Sequence, residues 1–211
     1  LASNEILEQN IIDSFVGYQG GVSTVYSQMY AIWYWMQSKG MTYSSITNTS
    51  DVNAKVESQY VRFFDEVLDN NQANCVDGTV FLSSFLKKIG IKPHLIIKPG
   101  HMYLGINSSE GGLYLIETTV VGAVDLRTIN TPSDLAVSYS NNQLSSTQYE
   151  EYLLGQASFA FTKYRISINS LNYALNYAAN DYNNNSDKFF FACFIFSFKS
   201  LILSSSSFYL L

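Results

Sequence analysis

Three side chains of this 211-residue chain stand where a thiol, an imidazole and a carboxylate could work together: Cys75, His101 and Glu117. Brought into contact, they would form a nucleophile, its proton carrier and the group that orients the ring. Each also has a plainer reading. A lone cysteine is most often a small buried hydrophobe, a strand histidine beside a glycine is usually structural, and a hairpin glutamate usually faces solvent. What lifts the set above those readings is the geometry that the surrounding residues impose.

Three elements must supply that geometry. After polar residues 70–74, apolar side chains recur at Val76, Val80, Phe81, Phe85, Leu86 and Ile89, a helical spacing, and Gly90 supplies the stop. Cys75 thus opens a helix, where unpaired N–H groups and the positive end of the dipole favour a thiolate. Residues 92–98, with His94, Leu95, Ile96 and Ile97 between two prolines, read as a short strand and turn. Residues 101–106 and 113–118 are apolar runs around a glycine-containing loop, hence a hairpin. Folded about its middle, the hairpin sets His101 opposite Glu117 or nearly so, and opposed Cβ atoms lie about 4.5–5.5 Å apart. His101, Tyr103 and Gly105 share one face, with Leu113, Leu115 and Glu117 beside them. If the helix that begins at Cys75 packs on that face, the thiol meets His101 and Glu117 orients the ring.

Asn74, Cys75, Val76, Asp77 and Gly78, the helix ending in Ile89, Gly90 and Ile91, then Pro99, Gly100 and His101, and finally Ile116, Glu117, Thr118 and Thr119 resemble the transglutaminase-like superfamily. More narrowly, they resemble its bacterial transglutaminase-like cysteine proteinases. The resemblance covers about residues 20–125. It implies an α+β protein with a papain-like core, in which N-terminal helices and a Cys-bearing helix pack on an antiparallel sheet. It also implies Cys75 as nucleophile, His101 as general base and acid, and Glu117 as the residue that fixes the imidazole. The superfamily commonly has Asp in an Asp-Pro-Thr setting where this chain has Glu117, Thr118 and Thr119. Gln59 resembles the upstream glutamine that helps the cysteine N–H stabilise an oxyanion in papain-like sites, while Gln72 and Asn74 compete for that role. Asp77 resembles an acidic position after the cysteine in the bacterial proteinases; a first-turn carboxylate satisfying the helix dipole is the preferred reading.

Composition bounds the rest. Net charge is −5 with only 12 Lys and Arg, and no basic patch is visible, which argues against a nucleic-acid partner. Aromatic content is high, with 16 Tyr and 14 Phe; abundant Tyr, Asn and Ser suit a surface that recognises a polar polymer. Two His and two Cys offer no zinc-ligand spacing, so neither metal nor cofactor is expected. The chain starts at Leu1 with no basic stretch ahead of an apolar one, so no signal segment is visible; a secreted or cell-envelope form from which the segment has been removed fits that start. Asn48 and Asn107 sit in glycosylation-type triplets that arise easily in such sequence.

Residues 1–187 read as one domain. Ile6, Leu7, Ile11, Ile12 and Phe15 predict a first helix ending near residues 17–21. Ser23 would cap a second, with Val25, Met29, Ile32, Trp33 and Met36 as a core face rather than a ligand platform. Residues 41–54 read as a loop at the rim of a substrate cleft, and 61–68 as a short helix. Arg62, Asp65 and Glu66 read as structural ion pairs. Residues 120–126 would continue the sheet, Thr131 and Pro132 start a helix, and Thr147 starts another. Residues 159–168 read as a strand and 171–179 as a helix. The tail over 188–211 is abruptly apolar, too short for a membrane span, and carries Cys193 with no assigned role.

The expected chemistry is thiol-dependent acyl transfer on a peptide, protein or amide-containing polymer, with hydrolysis favoured over transfer to an amine. Two rivals stand beside it. One is a silent peptide- or glycan-binding module on the same fold; the other is a metal site built on Cys75 and His101.

Overall fold

The computed structural model describes residues 2–44, 61–108 and 111–193, a mixed helix-and-sheet protein of the α+β class. Helices α1 (Ala2–Glu8) and α2 (Val22–Ser38) come first. Strand β1 (Thr42–Tyr43), helix α3 (Phe64–Asn70) and strand β2 (Gln72–Ala73) lead into α4 (Cys75–Lys88). Strands β3 (Pro93–Lys98), β4 (His101–Asn107) and β5 (Leu113–Ile116) follow, then 3-10 turns over Thr118–Ala123 and Leu126–Thr128. Helices α5 (Pro132–Ser140), α6 (Ser146–Leu153) and α7 (Phe159–Asn185), a 3-10 turn and strand β6 (Phe190–Cys193) complete the described chain. Gln59, the Asn48 triplet, Ser109, residues 45–54 of the expected cleft rim and residues 194–211 of the tail lie outside the described residues.

Four strands form an antiparallel sheet in the order β5-β4-β3-β6, with helices on both faces. Strand alternation sorts the side chains between them. Leu104, Ile106 and Ile116 join Phe81 and Leu82 of α4 in the main core, and Met102 and Leu95 pack with Val76. On the opposite face Ile96, Tyr103 and Leu115 pack against Ala178 of α7 and Phe189. Helix α2 is buried continuously from Gln28 to Gln37, as expected of a helix with neighbours all round. Its Trp33 and Trp35 are core residues, each contributing roughly 1.5–3 kcal/mol by leaving water, and Trp35 stacks on Phe81 of α4. The polar Gln37 is fully satisfied: Nε2 donates to Ser170 Oγ (3.0 Å) and Val121 O (3.3 Å), and Oε1 accepts from Ser167 Oγ (2.6 Å). That network ties α2 to α7 and to the turn after Glu117.

Several sequence expectations need correction. Helix α1 stops at Glu8 because Asn10 adopts a left-handed φ of 56°, so residues 11–21 are not helical. Helix α2 starts one residue ahead of Ser23 on Gly21, without a side-chain cap. Residues 120–126 leave the sheet as 3-10 turns rather than continuing it. The expected strand over 159–168 is the first part of α7, whose buried positions Thr162, Ile166, Ser170, Ala174 and Ala178 recur every four residues. Residues 190–193, read as part of the apolar tail, pair with β3 as an edge strand. The hairpin register also differs. Leu104 pairs with Ile116, which sets Glu117 one step on, opposite Tyr103 and diagonal to His101. Finally, the condition that the Cys75 helix packs on the His101 face is not met: α4 packs on the opposite face, and α7 covers the face that carries His101 and Tyr103.

Candidate active site

The start of α4 is fixed by its own sequence. Asn74 Oδ1 accepts from the N–H groups of Val76 (2.8 Å) and Asp77 (2.9 Å), and Asp77 Oδ2 accepts in return from Asn74 N (3.3 Å). This reciprocal cap leaves Cys75 as the first helical residue, a half-buried free cysteine. Asp77 is fully buried and spends its other lone pairs on Arg62, accepting from the backbone N–H (2.9 Å) and Nη1 (3.3 Å). Burial pushes its carboxyl up, against the pull of the Arg62 and Asn74 hydrogen bonds. Its place is inside the protein, bracing residues 61–62 against the helix.

His101 is the first residue of β4, and Glu117 lies just past the end of β5, so both stand at the same end of the sheet. Cys75 arrives there from the other face. His101 Nε2 meets Glu117 Oε2 at 2.5 Å, and the Cys75 side chain acts electrostatically on the imidazole. With Nε2 committed to the carboxylate, Nδ1 is the nitrogen left for sulfur. Diagonal strand neighbours lie about 7–8 Å apart, a span that a glutamate covers more readily than an aspartate. Glu117 is itself immobilised: Oε1 accepts from Thr119 N (3.0 Å) and Thr119 Oγ1 (2.7 Å), and the Glu117 N–H donates to Ala174 O of α7 (3.2 Å). Tyr103 stands edge-on to the imidazole, ring centroids 4.5 Å apart.

Burial disfavours charge on His101, but hydrogen bonds and Coulombic attraction from Cys75 and Glu117 outweigh it and push the imidazole up to about 9. The ring is therefore an imidazolium at neutral pH, held by the Glu117 carboxylate. Gly78 allows α4 to come this close: a Cβ there would meet Thr118 Oγ1 at 3.0 Å and Thr118 Cβ at 3.2 Å. Thr118 Oγ1 in turn donates to Cys75 O (3.4 Å), binding the cysteine turn to the residue beside Glu117.

The three sequence-predicted residues Cys75, His101 and Glu117 thus come together, and Asn74 and Asp77 lie directly behind the cysteine. Gln59 lies outside the described residues, and Gln72 is exposed on β2. Asn74 Nδ2 is buried without a hydrogen-bond partner among the described residues; the two N–H groups on Oδ1 fix which end of the amide is which. Sequence reading found the helix over 171–179 but not that α7 begins at Phe159 and holds Glu117 through Ala174; the four-residue recurrence of buried positions from Thr162 to Ala178 was the available signal. Among the described residues, no three His, Cys, Asp or Glu side chains gather to hold a metal ion, and no helix is long and apolar enough to cross a membrane. Comparison with family models, curated proteins and solved structures finds no match to this chain.

Proposed function

We propose that the chain is a thiol-dependent acyl-transfer enzyme of the transglutaminase-like, papain-like kind, acting on a peptide or amide bond and passing the acyl group to water. One observation carries this: His101 is hydrogen-bonded to Glu117 at the strand ends, where the Cys75 side chain acts electrostatically on the same imidazole. In the first step Cys75 Sγ attacks the carbonyl carbon and the C–O π pair moves to oxygen. The N–H of Cys75 and Asn74 Nδ2 are the donors that remain for that oxyanion, since Asn74 Oδ1 already occupies Val76 N and Asp77 N. As the C–N bond breaks, the His101 imidazolium gives its proton to the leaving nitrogen, and a thioester remains on Cys75. His101, now neutral, takes a proton from water; the hydroxide oxygen adds to the thioester carbon, the C–S bond breaks, and acid and thiolate are released. Hydrolysis is favoured over transfer to an amine because the nearest resemblance is to the bacterial proteinases.

The test is alkylation of Cys75 by iodoacetamide, located by mass spectrometry, from pH 5 to 10 in the wild type and in His101→Ala. Rapid alkylation at pH 6 that falls about tenfold or more in the variant is the expected result. Slow alkylation at pH 6 in both proteins would overturn the proposal, because no activated thiol would then exist.

A further inference from the structure

An open cavity of about 340 Å³ lies on the flank of the dyad, walled by His101, Glu117, Tyr103, Lys98, Tyr173 and Tyr177. Cys75 does not line it. We propose that this cavity is a subsite for an aromatic side chain on the leaving-group side of the scissile amide, a specificity pocket that rests on the acyl-transfer reading above.

Chemistry selects the occupant. Several polar groups around the cavity are committed to one another: Lys98 Nζ pairs with Asp181, Tyr103 Oη donates to Asp181 (2.6 Å), and the Thr119 hydroxyl donates to Glu117. Glu117 spends both oxygens on His101 and Thr119. What the walls offer a visitor is ring faces, the aliphatic Val120 and the hydroxyls of Tyr173 and Tyr177. Tyr173 and Tyr177 are one helical turn apart on α7, ring centroids 6.1 Å from each other, and remain 59% and 49% exposed. Two large rings left in water beside a dyad form a surface on which a third ring can stack. The volume sits at the lower end of the roughly 300–1,000 Å³ of small-molecule sites, room for one large side chain rather than a whole ligand.

Position selects the side of the bond. His101 must deliver its proton to the leaving nitrogen, so that nitrogen lies against the imidazole. The residue it belongs to is the part of the substrate nearest a cavity that the imidazole itself walls, whereas the acyl portion is held at sulfur. Tyr173 and Tyr177 belong to α7, outside the residues that carry the family resemblance, so this preference is a property of the present chain.

A proteome-derived peptide library digested by the protein, with cleaved ends identified by mass spectrometry, tests the assignment. Phe, Tyr and Trp should be enriched about tenfold over Ala immediately after the cleaved bond. A Tyr173→Ala/Tyr177→Ala variant should bring that ratio close to one while preferences on the acyl side stay as they were, and Tyr173→Phe/Tyr177→Phe should keep it. Wild-type cleavage without aromatic enrichment, or enrichment that survives the alanine variant, overturns the subsite and leaves the acyl-transfer reading standing. Absence of any cleavage that Cys75→Ala abolishes would remove that reading, and the subsite with it.

Discussion

The two faces of the central sheet differ in what they contribute. The face under α4 is a conventional apolar interior: Leu104, Ile106 and Ile116 against Phe81 and Leu82, with the thiol carried at the helix start. The face under α7 carries His101 and Tyr103, the diagonal Glu117 and the open cavity, and its helix packs with small side chains such as Ala174 and Ala178. On the proposed reading, one face positions the nucleophile and the other the proton chemistry, and the two meet at the strand ends. Damage to either should therefore have a distinct signature.

The largest effect should follow a change on the α7 face alone. Glu117→Gln keeps the length of the side chain and its acceptor for Thr119 but removes the negative charge beside Nε2. We expect kcat/KM to fall roughly 10²–10⁴-fold, the scale seen when the orienting carboxylate of a triad is neutralised. The imidazole should also drop from about 9 toward its ordinary value of about 6.5, so the alkaline limit of activity moves to lower pH. The sign for stability follows from the raised value: the pair's contribution is complete below about pH 6.5 and is lost as pH rises through about 9. A pH–rate profile of the variant with an unmoved alkaline limit would break the division between the faces.

Next in size is a change behind the α4 face. Asp77→Ala removes a fully buried carboxylate, strands the backbone N–H groups of Arg62 and Asn74, and leaves the Arg62 guanidinium with only Gln72 O and Ser44 Oγ among the described residues. Breaking such a pair costs about 3–5 kcal/mol, measurable as a lower urea midpoint. Asp77→Asn, which retains an acceptor, should lose less. If both variants kept wild-type stability while losing activity, Asp77 would belong to the chemistry rather than to the helix start.

The α4 face was also the legible one. Val76, Phe81 and Phe85 recur at helical spacing and Gly90 ends the run, so periodicity alone located the cysteine turn. The hairpin was readable up to its loop; the loop did not reveal its own register, and the pairing is shifted by two residues. A shift of two preserves strand parity, so His101 and Glu117 still share a face and the contact survives through a longer side chain. The first part of α7, over 159–168, was read as a strand because Phe159 and Phe161 flank Ala160 in an alternating pattern, while the buried positions of the helix are mostly Thr, Ser and Ala with only Ile166 and Leu171 among them, which makes a weak apolar stripe. The order of the faces was hidden for the same reason: nothing in Ala174 or Ala178 says that a helix there outcompetes α4 for the His101 side. The aromatic wall of the cavity went unseen because Tyr173 and Tyr177 are two of many tyrosines until α7 sets them beside the dyad.

The smallest substitution tests whether the faces really meet at one point. In Gly78→Ala the helix gains roughly 1 kcal/mol of intrinsic propensity, yet the new Cβ meets Thr118 at 3.0 and 3.2 Å. Thr118 is buried and hydrogen-bonded to Cys75 O and near Thr79 Oγ1, so it cannot turn aside without losing those partners. Overpacking of this kind costs about 1–3 kcal/mol, so the net change should be a loss of at most about 2 kcal/mol. The kinetic effect should exceed what that loss explains. Relief of the contact moves the start of α4 away from the Glu117 segment, and because displacement of about 1 Å can cost 10²-fold, a shift of a few tenths should cost about tenfold in kcat/KM. Denaturant unfolding and kinetics on the same preparation separate the two effects. A variant that is more stable and equally active would mean that α4 does not bear on Thr118 tightly enough to set the distance between sulfur and imidazole.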